Sequence, residues 1–469
     1  MALSNWRVRW RLFAIIAVPT VTALVLGIIQ TGNAEASYSN YQRVQTLSQL
    51  GGLGATAIAS LEDERDATAG LIASGKADPN AKALVQKYRT QSLITLEKFD
   101  NEAGSVVNNG AYPAQVRLDL GNATQSTADL QQIQDAVSTT NYGALPTIAA
   151  YDRIISDFVT FTDDVATGSG DITLQNEVTV LTTVLRISDD ASEQRAYLFE
   201  ALDKPSPSLT PVELNDLNAA VGQESADQTE FNSQATVTES QNFSNTVSGQ
   251  QVDEAESALQ RATTAATTSP NAELSIGQQQ QLSTCSAQNL GLGANCWNSI
   301  QSAQINDMRV VINGDNDVHG TGLVGQIQSQ AGALASRAQQ DFYLILIAVV
   351  VLLGIVLLIT IVVAQSMIRP LRRLRSDALD IANTKLPEMV RRLSESEGGD
   401  ESVEIEPVGV TSTDEIGEVA RAFDQVHREA VRLAADEAML RGNLNAMFVN
   451  LSRRSQSLIE RQLTLIDNL

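Results

Sequence analysis

The chain has 469 residues, which is too long for one ordinary domain and predicts two or three folded units. Only 4% of its residues are aromatic, a composition that favours long amphipathic helices over a β-sandwich or an α/β enzyme core. The formal net charge of −23 argues against nucleic acid as a partner, because nucleic acid is itself a polyanion. We therefore expect an all-α protein.

Two apolar runs are candidates for membrane-spanning helices. Residues 342–364 carry no charged side chain and, at about 1.5 Å per residue, are long enough to cross a hydrocarbon layer of roughly 30 Å. Residues 12–30 form the other run. A cleaved signal peptide is the alternative for it, because Ala34-Glu35-Ala36 resembles a cleavage site. Its length exceeds the apolar core of about 7–15 residues that is typical of signal peptides, which favours a retained span.

The basic residues near these runs predict the topology. Arg7, Arg9 and Arg11 precede the first run, and Arg369 and Arg372 follow the second. Basic residues near a span stay on the cytoplasmic side. We therefore expect both termini, including residues 1–11, in the cytoplasm and residues 31–341 outside the cell. This extracellular segment holds 15 Lys and Arg against 37 Asp and Glu, most of which we expect at a soluble, acidic surface.

The extracellular segment is predicted to be a helical bundle broken by Gly and Pro. Asp78-Pro79 is an N-cap followed by proline, and Thr210-Pro211-Val212-Glu213 is a capping box. A Gly/Asn-rich region covers residues 285–322, and the last helix is expected to run from about Gly325 into the second span. The other helices are predicted at about 38–74, 79–102, from Pro113, 144–166, 176–202, and from 211 to about 265.

Both cysteines of the chain, Cys285 and Cys296, lie in the extracellular segment. An exported pair separated by a short loop predicts a structural disulfide. A metal site is the alternative, but no further metal ligands are found near these residues. No paired carboxylates or nucleophile motif stands out either, so an extracellular enzyme is the least favoured interpretation. His319, in a Gly/Asp-rich loop, is expected to be solvated.

The segment after the second apolar run has the pattern of a signal-relay module. Pro370 lies in Ile368-Arg369-Pro370-Leu371 and is expected near the start of a new helix. After a charged connector, Ser412-Thr413-Asp414-Glu415 forms a capping box ahead of Ile416 and Gly417. Helix, connector and helix in this order resemble a HAMP domain over residues 365–435, although the connector is longer than usual. The resemblance assigns signal relay to Pro370, Glu415 and Gly417.

The last segment carries a heptad repeat. Apolar residues recur at positions a and d, and Glu437 is the only break in the a series. The a positions are Ile416, Phe423, Ala430, Glu437, Leu444, Leu451, Leu458 and Leu465, and the d positions are Val419, Val426, Leu433, Leu440, Met447, Arg454 and Arg461. This seam predicts a parallel homodimeric coiled coil over residues 436–469, with Glu437 at a marginal point of the relay.

The stretch Asn445-Ala446-Met447-Phe448-Val449-Asn450-Leu451-Ser452-Arg453-Arg454 resembles the input to the phosphotransfer helices of actinobacterial sensor histidine kinases. In that group the extracellular module is a nitrate/nitrite-sensing (NIT) domain, which Glu64-Arg65 and Gln194-Arg195 resemble. The resemblance implies a response regulator as partner, with ATP and Mg bound by a kinase domain. No ATP lid occurs in this chain, and His427 is a poor phosphoacceptor candidate. We therefore expect a fragment truncated before the kinase core, with no catalytic residue or cofactor of its own.

The resemblance makes Arg65, Arg195 and Glu64 the candidate ligand-binding residues. Nitrate and nitrite are small planar anions, and a guanidinium group donates two parallel hydrogen bonds in one plane. The alternative is that these arginines form weak, solvated surface pairs with nearby acids such as Glu62 and Glu193.

Three functions are compatible with these patterns. The favoured one is a homodimeric receptor of a two-component system that senses nitrate or nitrite outside the cell and signals through the HAMP domain. A membrane scaffold that recruits a cytoplasmic partner without phosphotransfer is the second. A chemoreceptor-like transducer is the third, and the arginine-rich turn at 452–461 fits it poorly.

Overall fold

The computed structural model describes residues 8–139, 142–268, 294–315, 320–395 and 415–467. Apart from turns and one two-residue antiparallel ladder, these residues are helical, so the all-α prediction is confirmed for the described part of the chain. Two compact units are formed. The larger comprises residues 29–346, and the smaller comprises residues 1–28 together with 347–469.

The helices follow one another with short connections, and each is named here by its order in the chain. They are α1 Val8–Ala73, α2 Pro79–Val107, α3 Ala114–Thr139, α4 Ala144–Asp163, α5 Ile172–Asp203, α6 Pro211–Gln234, α7 Val237–Thr246, α8 Gln250–Thr268, α9 Ala294–Asn313, α10 Leu323–Asp380, α11 Leu386–Glu395 and α12 Glu415–Asp467. The strands are β1 Gly314–Asp315 and β2 Gly320–Thr321.

Local sequence sets several of these boundaries. Gly75 ends α1 at a φ of 76°, a conformation that glycine adopts without steric cost. Asp78 then caps α2 by accepting a hydrogen bond from the backbone N–H of Asn80, with Pro79 as the first helical residue. Thr210 and Glu213 form the predicted capping box at the start of α6. These caps are confirmed.

The main core cluster of the larger unit is formed by buried apolar side chains from α1 to α7, α9 and α10. Phe99 packs against Phe158 and Phe161 with ring centroids 4.8 and 5.7 Å apart. A second cluster surrounds the fully buried Trp297 of α9. Burial of these large side chains fixes the helices that carry the charged residues described below.

Two helices, α1 and α10, contain stretches long and apolar enough to cross a membrane. The prediction that the last extracellular helix continues unbroken into the second apolar run is confirmed, because α10 is continuous from Leu323 to Asp380. Within the larger unit, α1 approaches α10 closely at Gly52, where an added Cβ would lie 2.7 Å from Val324.

Two sequence-based expectations need correction. The Gly/Asn-rich region at 285–322 contains a 20-residue helix, α9, whose buried Trp297 and Ile305 supply the apolar face that composition alone hides. Pro370 does not begin a new helix but lies inside α10. A proline removes one backbone hydrogen bond, and the helix tolerates this loss and continues.

The smaller unit pairs α11 with α12. Residues Ile381–Lys385 form a π-helical turn that joins α10 to α11. The face of α12 that is buried within the chain carries Gly417, Ala420, His427 and Val431, whereas the predicted d positions Val419, Val426 and Leu433 are 57–65% exposed. From Asp436 onward, every described side chain of α12 is exposed.

Replacing Gly322 by alanine is expected to destabilise the larger unit by about 1–3 kcal/mol, as overpacking does. An added Cβ would lie 2.2 Å from the backbone nitrogen of Gly314 and 2.5 Å from the carbonyl oxygen of Ile312, and backbone atoms cannot yield as side chains do. The turn between α9 and α10 would therefore open. Thermal unfolding of the full chain in detergent micelles measures the effect.

Gly222→Ala is the matched control for this substitution. Gly222 is exposed within α6, and an added Cβ would meet no atom within 4 Å. Alanine there is expected to stabilise the protein by about 0.5–1 kcal/mol. Equal stability of the two variants would contradict the tight turn at Gly322.

Candidate functional site

The two acid-rich turns that carry Arg65 and Arg195 face each other in the larger unit. Arg65 lies on α1 and Arg195 on α5, and the carboxylate of Asp66 joins them. The Nε of Arg65 donates to Asp66 Oδ1 over 3.0 Å, and the Nε of Arg195 donates to Asp66 Oδ2 over 2.6 Å. Two segments about 130 residues apart in sequence thus form one buried ionic cluster.

Arg65 is completely buried. Its Nη1 donates to Asp152 of α4 over 2.6 Å and to Asp189 of α5 over 2.8 Å. Its Nη2 is also buried and has no hydrogen-bond partner among the described residues. The alternative of a weakly paired surface arginine is therefore wrong, because no part of this side chain reaches solvent.

Arg195 is 3% exposed and is held by α1, α5 and α9. Its Nη2 donates to Asp63 over 3.1 Å and its Nη1 to Ser302 of α9 over 3.0 Å. The indole Nε1 of Trp297 donates to the backbone carbonyl of Arg195 over 3.1 Å. Helix α9, which the sequence analysis did not predict, therefore supplies partners of the cluster.

Arg309 of α9 is a further arginine of the cluster that sequence reasoning missed. Its Nη1 and Nη2 donate to the two carboxylate oxygens of Asp63 over 3.1 and 3.0 Å, and Nη2 also donates to Glu62 over 2.9 Å. Asp63 is thus shared between Arg309 and Arg195, as Asp66 is shared between Arg195 and Arg65. The charges alternate from α9 across α1 and α5 to α4.

Glu64, the third predicted ligand-binding residue, lies apart from the two arginines. It is fully buried and accepts hydrogen bonds from Gln134 of α3 over 2.7 Å and from Tyr151 of α4 over 2.8 Å. Arg89 of α2 is 3.7 Å away. These partners differ from those of Arg65, so Glu64 ties α1 to α2, α3 and α4.

Burial changes the protonation of the acids in this cluster. It raises the pKa of Asp152 to about 8, with Arg65 acting in the opposite direction, and it raises the pKa of Glu62 to about 7 against the effect of Arg309. Burial, and then the charge of the neighbouring Asp189, raise the pKa of Asp190 to about 9. Burial also opposes ionisation of Asp63, but Arg309 and Arg195 outweigh it and lower its pKa.

The other predicted site residues lie elsewhere. Cys296 of α9 is disulfide-bonded, whereas Cys285 lies outside the described residues, so their pairing stays a prediction. His319 also lies outside the described residues. In the described part of the chain, no group of three or more His, Cys, Asp or Glu residues could hold a metal ion.

The residues predicted to relay the signal are placed in the smaller unit. Pro370 is inside α10, Glu415 begins α12, and Gly417 is buried on α12. Glu437 is exposed and pairs with Arg441 over 2.7 Å, one helical turn later. His427 is 7% exposed and both of its ring nitrogens lack a hydrogen-bond partner among the described residues, so it does not present an accessible imidazole.

Comparison with known proteins bears on the segment that holds the cluster. No curated protein matches the chain. One solved structure that is similar, entitled "Structure of the NasR transcription antiterminator", shares 13% identity at a TM-score of 0.48 and covers 88% of this chain and 97% of its own. The profile of the family described as "Nitrate and nitrite sensing" matches residues 56–314, which span Arg65, Arg195 and Arg309. The chain belongs to the nitrate and nitrite sensing (NIT) family.

Proposed function

We propose that this protein is a membrane receptor that binds nitrate or nitrite at Arg65 and Arg195. The observation that carries the proposal is the pair of buried arginines joined by Asp66 inside the segment that matches the NIT family. A buried guanidinium keeps its charge and its planar fork of donors, and these suit a small planar oxyanion. A site shielded from water strengthens the attraction further.

The way the two arginines share Asp66 indicates how an anion is held. A carboxylate has two oxygens in one plane, and in Asp66 each oxygen accepts a hydrogen bond from a different arginine. Nitrate and nitrite offer two oxygens in the same local arrangement. We infer that the ligand accepts hydrogen bonds from Nη2 of Arg65, which has no described protein partner. For the other N–H groups of Arg65, the ligand competes with the carboxylates that already accept from them.

The relay from this site uses the helices that leave the larger unit. Arg309 and Ser302 tie α9 to the cluster, and the turn at Gly314 and Gly322 joins α9 to α10. Since α10 is one continuous helix through the apolar run to Asp380, a shift of its outer part is transmitted along its length. Ligand binding would therefore bias two arrangements of the helices beyond the membrane.

We further propose that residues 31–341 lie outside the cell and both termini in the cytoplasm, with membrane spans at 12–30 and 342–364. Residues 365–435 form a HAMP domain and 436–469 a coiled coil of a homodimer, in which Glu437 marks the point where the seam responds. This coil transmits the signal to a histidine kinase core, which phosphorylates a response regulator. The pairing of α11 with α12 and the exposed apolar stripe of α12 support this arrangement.

We expect the full chain in lipid nanodiscs to bind nitrate saturably in a calorimetric titration, with chloride giving no comparable heat. Arg65→Lys and Arg195→Lys should each weaken nitrate binding at least about tenfold, since lysine keeps the charge but has no planar fork of donors. Arg186→Lys is the control. Arg186 also forms two ion pairs from α5, but its side chain is 35% exposed and its partners are Asp227 and Glu230.

Three results would count against this assignment. Equal affinity for chloride would remove the preference for a planar oxyanion. Unchanged nitrate affinity in Arg65→Lys and Arg195→Lys would place the anion elsewhere. The absence of any binding by a folded chain would leave a membrane protein of the NIT family with a different stimulus.

A further inference from the structure

Two carboxyl groups stand between Arg65 and solvent. The Arg65 side chain is fully buried, whereas the side chains of Asp152 and Asp189 are 26% and 21% exposed. Both carboxylates accept from the same nitrogen, Nη1, over 2.6 and 2.8 Å. An anion that approaches Arg65 from solvent therefore meets these two negative groups before it reaches the guanidinium.

The donor of Arg65 that has no described partner, Nη2, lies close to the same two carboxyl groups. Nη2 shares its carbon atom with Nη1, so an anion bound to Nη2 would sit within a few ångströms of Asp152 and Asp189. A buried N–H with no described partner marks a position where a ligand oxygen would be favoured. The two neighbouring carboxylates would repel that ligand for as long as both are ionised.

The cluster has no positive charge to spare for a further anion. Its carboxyl groups outnumber its arginines. The carboxyl groups are Glu62, Asp63, Glu64, Asp66, Asp152, Asp189, Asp190 and Glu193, and the arginines are Arg65, Arg89, Arg195 and Arg309. Asp63 and Asp66 are each held by two arginines, whereas Asp152 and Asp189 share only Arg65. Of the three carboxylates that accept from Arg65, Asp152 and Asp189 are therefore more easily neutralised than Asp66.

We propose that the anion binds together with one proton, which is taken from solvent by Asp152 or Asp189. This inference rests on the proposed binding of nitrate or nitrite at Arg65. The proton forms an O–H bond on the carboxylate, and the group becomes neutral and releases one N–H of Arg65 Nη1, while the other carboxylate keeps the second N–H. A protonated carboxyl group also gains a donor, which can point at an oxygen of the bound anion. The proton returns to solvent when the anion leaves.

The pKa of Asp152 sets the pH range of this coupling. Burial raises it to about 8, and burial also raises the pKa of Asp189. The charged and titratable groups around the two carboxyl groups are Glu62, Arg65 and Asp66 from α1 and Asp190, Glu193 and Tyr197 from α5. Arg309 of α9 acts on them indirectly, since it pairs with Glu62. Below about pH 8, Asp152 already carries its proton, and above it binding must take one up.

Calorimetric titration of the full chain in nanodiscs with potassium nitrate, at pH 6.5, 8 and 9, tests the coupling. Each titration is run in two buffers of different ionisation enthalpy, so that the difference in heat counts the protons exchanged. We expect the affinity to fall about fivefold between pH 8 and pH 9 and about tenfold between pH 6.5 and pH 9, and proton uptake to approach one per nitrate at pH 9. At pH 6.5, uptake should be close to zero.

Asparagine variants identify the group that takes up the proton. An amide resembles the neutral carboxyl group, so either Asp152→Asn or Asp189→Asn should bind nitrate at pH 9 as tightly as the wild-type chain does at pH 6.5. Asp157→Asn is the control, since Asp157 lies on the same helix as Asp152 but bonds to Ser126. This variant should keep the wild-type pH profile.

The outcomes separate this inference from the function on which it rests. Saturable nitrate binding with the same affinity at pH 6.5 and 9 and no proton exchange would overturn the coupling and leave the anion site intact. A pH profile that persists in both Asp152→Asn and Asp189→Asn would overturn the assignment of the proton to these groups. No binding at any pH, in the wild-type chain or the variants, would overturn both proposals.

Discussion

Replacing Arg65 by alanine is expected to lower the free energy of unfolding of the larger unit by about 3–5 kcal/mol, the cost of removing one partner from a buried ionic cluster. Asp66, Asp152 and Asp189 would lose the guanidinium that they share and keep their burial. The removed volume adds a cavity among α1, α4 and α5. This is far more than the loss of a surface ion pair would cause, which is about 0–1 kcal/mol.

Trp297 provides the measurement. It is fully buried, it belongs to α9, and its indole donates to the backbone of Arg195, so its fluorescence reports on the cluster itself. With Trp6 and Trp10 replaced by phenylalanine, it is the single tryptophan of the chain. Urea titration of the full chain in micelles then follows the unfolding of the larger unit.

Arg153→Ala is the matched control for Arg65→Ala. Arg153 is exposed on α4 directly after Asp152, and its Nε donates only to the backbone of its own helix. Its loss should change the free energy of unfolding by no more than about 0.5 kcal/mol. A change at Arg65 as small as that at Arg153 would contradict the buried cluster.

Much of the helical framework could be predicted because its signals are local. The caps at Asp78 and Thr210 and the apolar run that continues α10 are written in adjacent residues, and each is found in the structure. The helix α9 was missed because the glycines on both sides of it, at 291–293 and 314–322, dominate the composition of residues 285–322. The helix itself contains no glycine, and its buried apolar residues, such as Trp297, Ile305 and Met308, recur at the spacing of one helix face, which is the signal that could have revealed it.

The cluster was only half predictable. The resemblance to the NIT family pointed to Arg65 and Arg195, but the acids that hold them come from other helices. Asp152 and Asp189 are 87 and 124 residues from Arg65 in sequence. Nothing in the chain between them indicates that these side chains meet. The acids adjacent in sequence suggested weak surface pairs, and only burial distinguishes that arrangement from the buried ionic cluster that the structure has.

Cysteine at position 440 is expected to cross-link two chains to a large extent when membranes are oxidised, whereas cysteine at position 439 should cross-link little. Leu440 occupies a d position of the predicted seam, and Met439 occupies the c position beside it, which faces away from a partner helix. Both side chains are 61% exposed in the single chain, so accessibility alone predicts equal reaction. Non-reducing gel electrophoresis of Leu440→Cys and Met439→Cys measures the difference.

The physical reason for the expected difference in cross-linking is the exposed apolar stripe of α12. A lone helix that exposes Leu440, Leu444, Met447 and Leu451 gains nothing from these residues in water, and a second copy would bury them all. Equal cross-linking of the two variants would contradict the parallel homodimer. If ligand binding shifts the coil as proposed, nitrate should change the rate of cross-linking of Leu440→Cys. The same variant carrying Arg65→Lys should not respond, because the cause of the shift lies at the buried arginine and not in the coil.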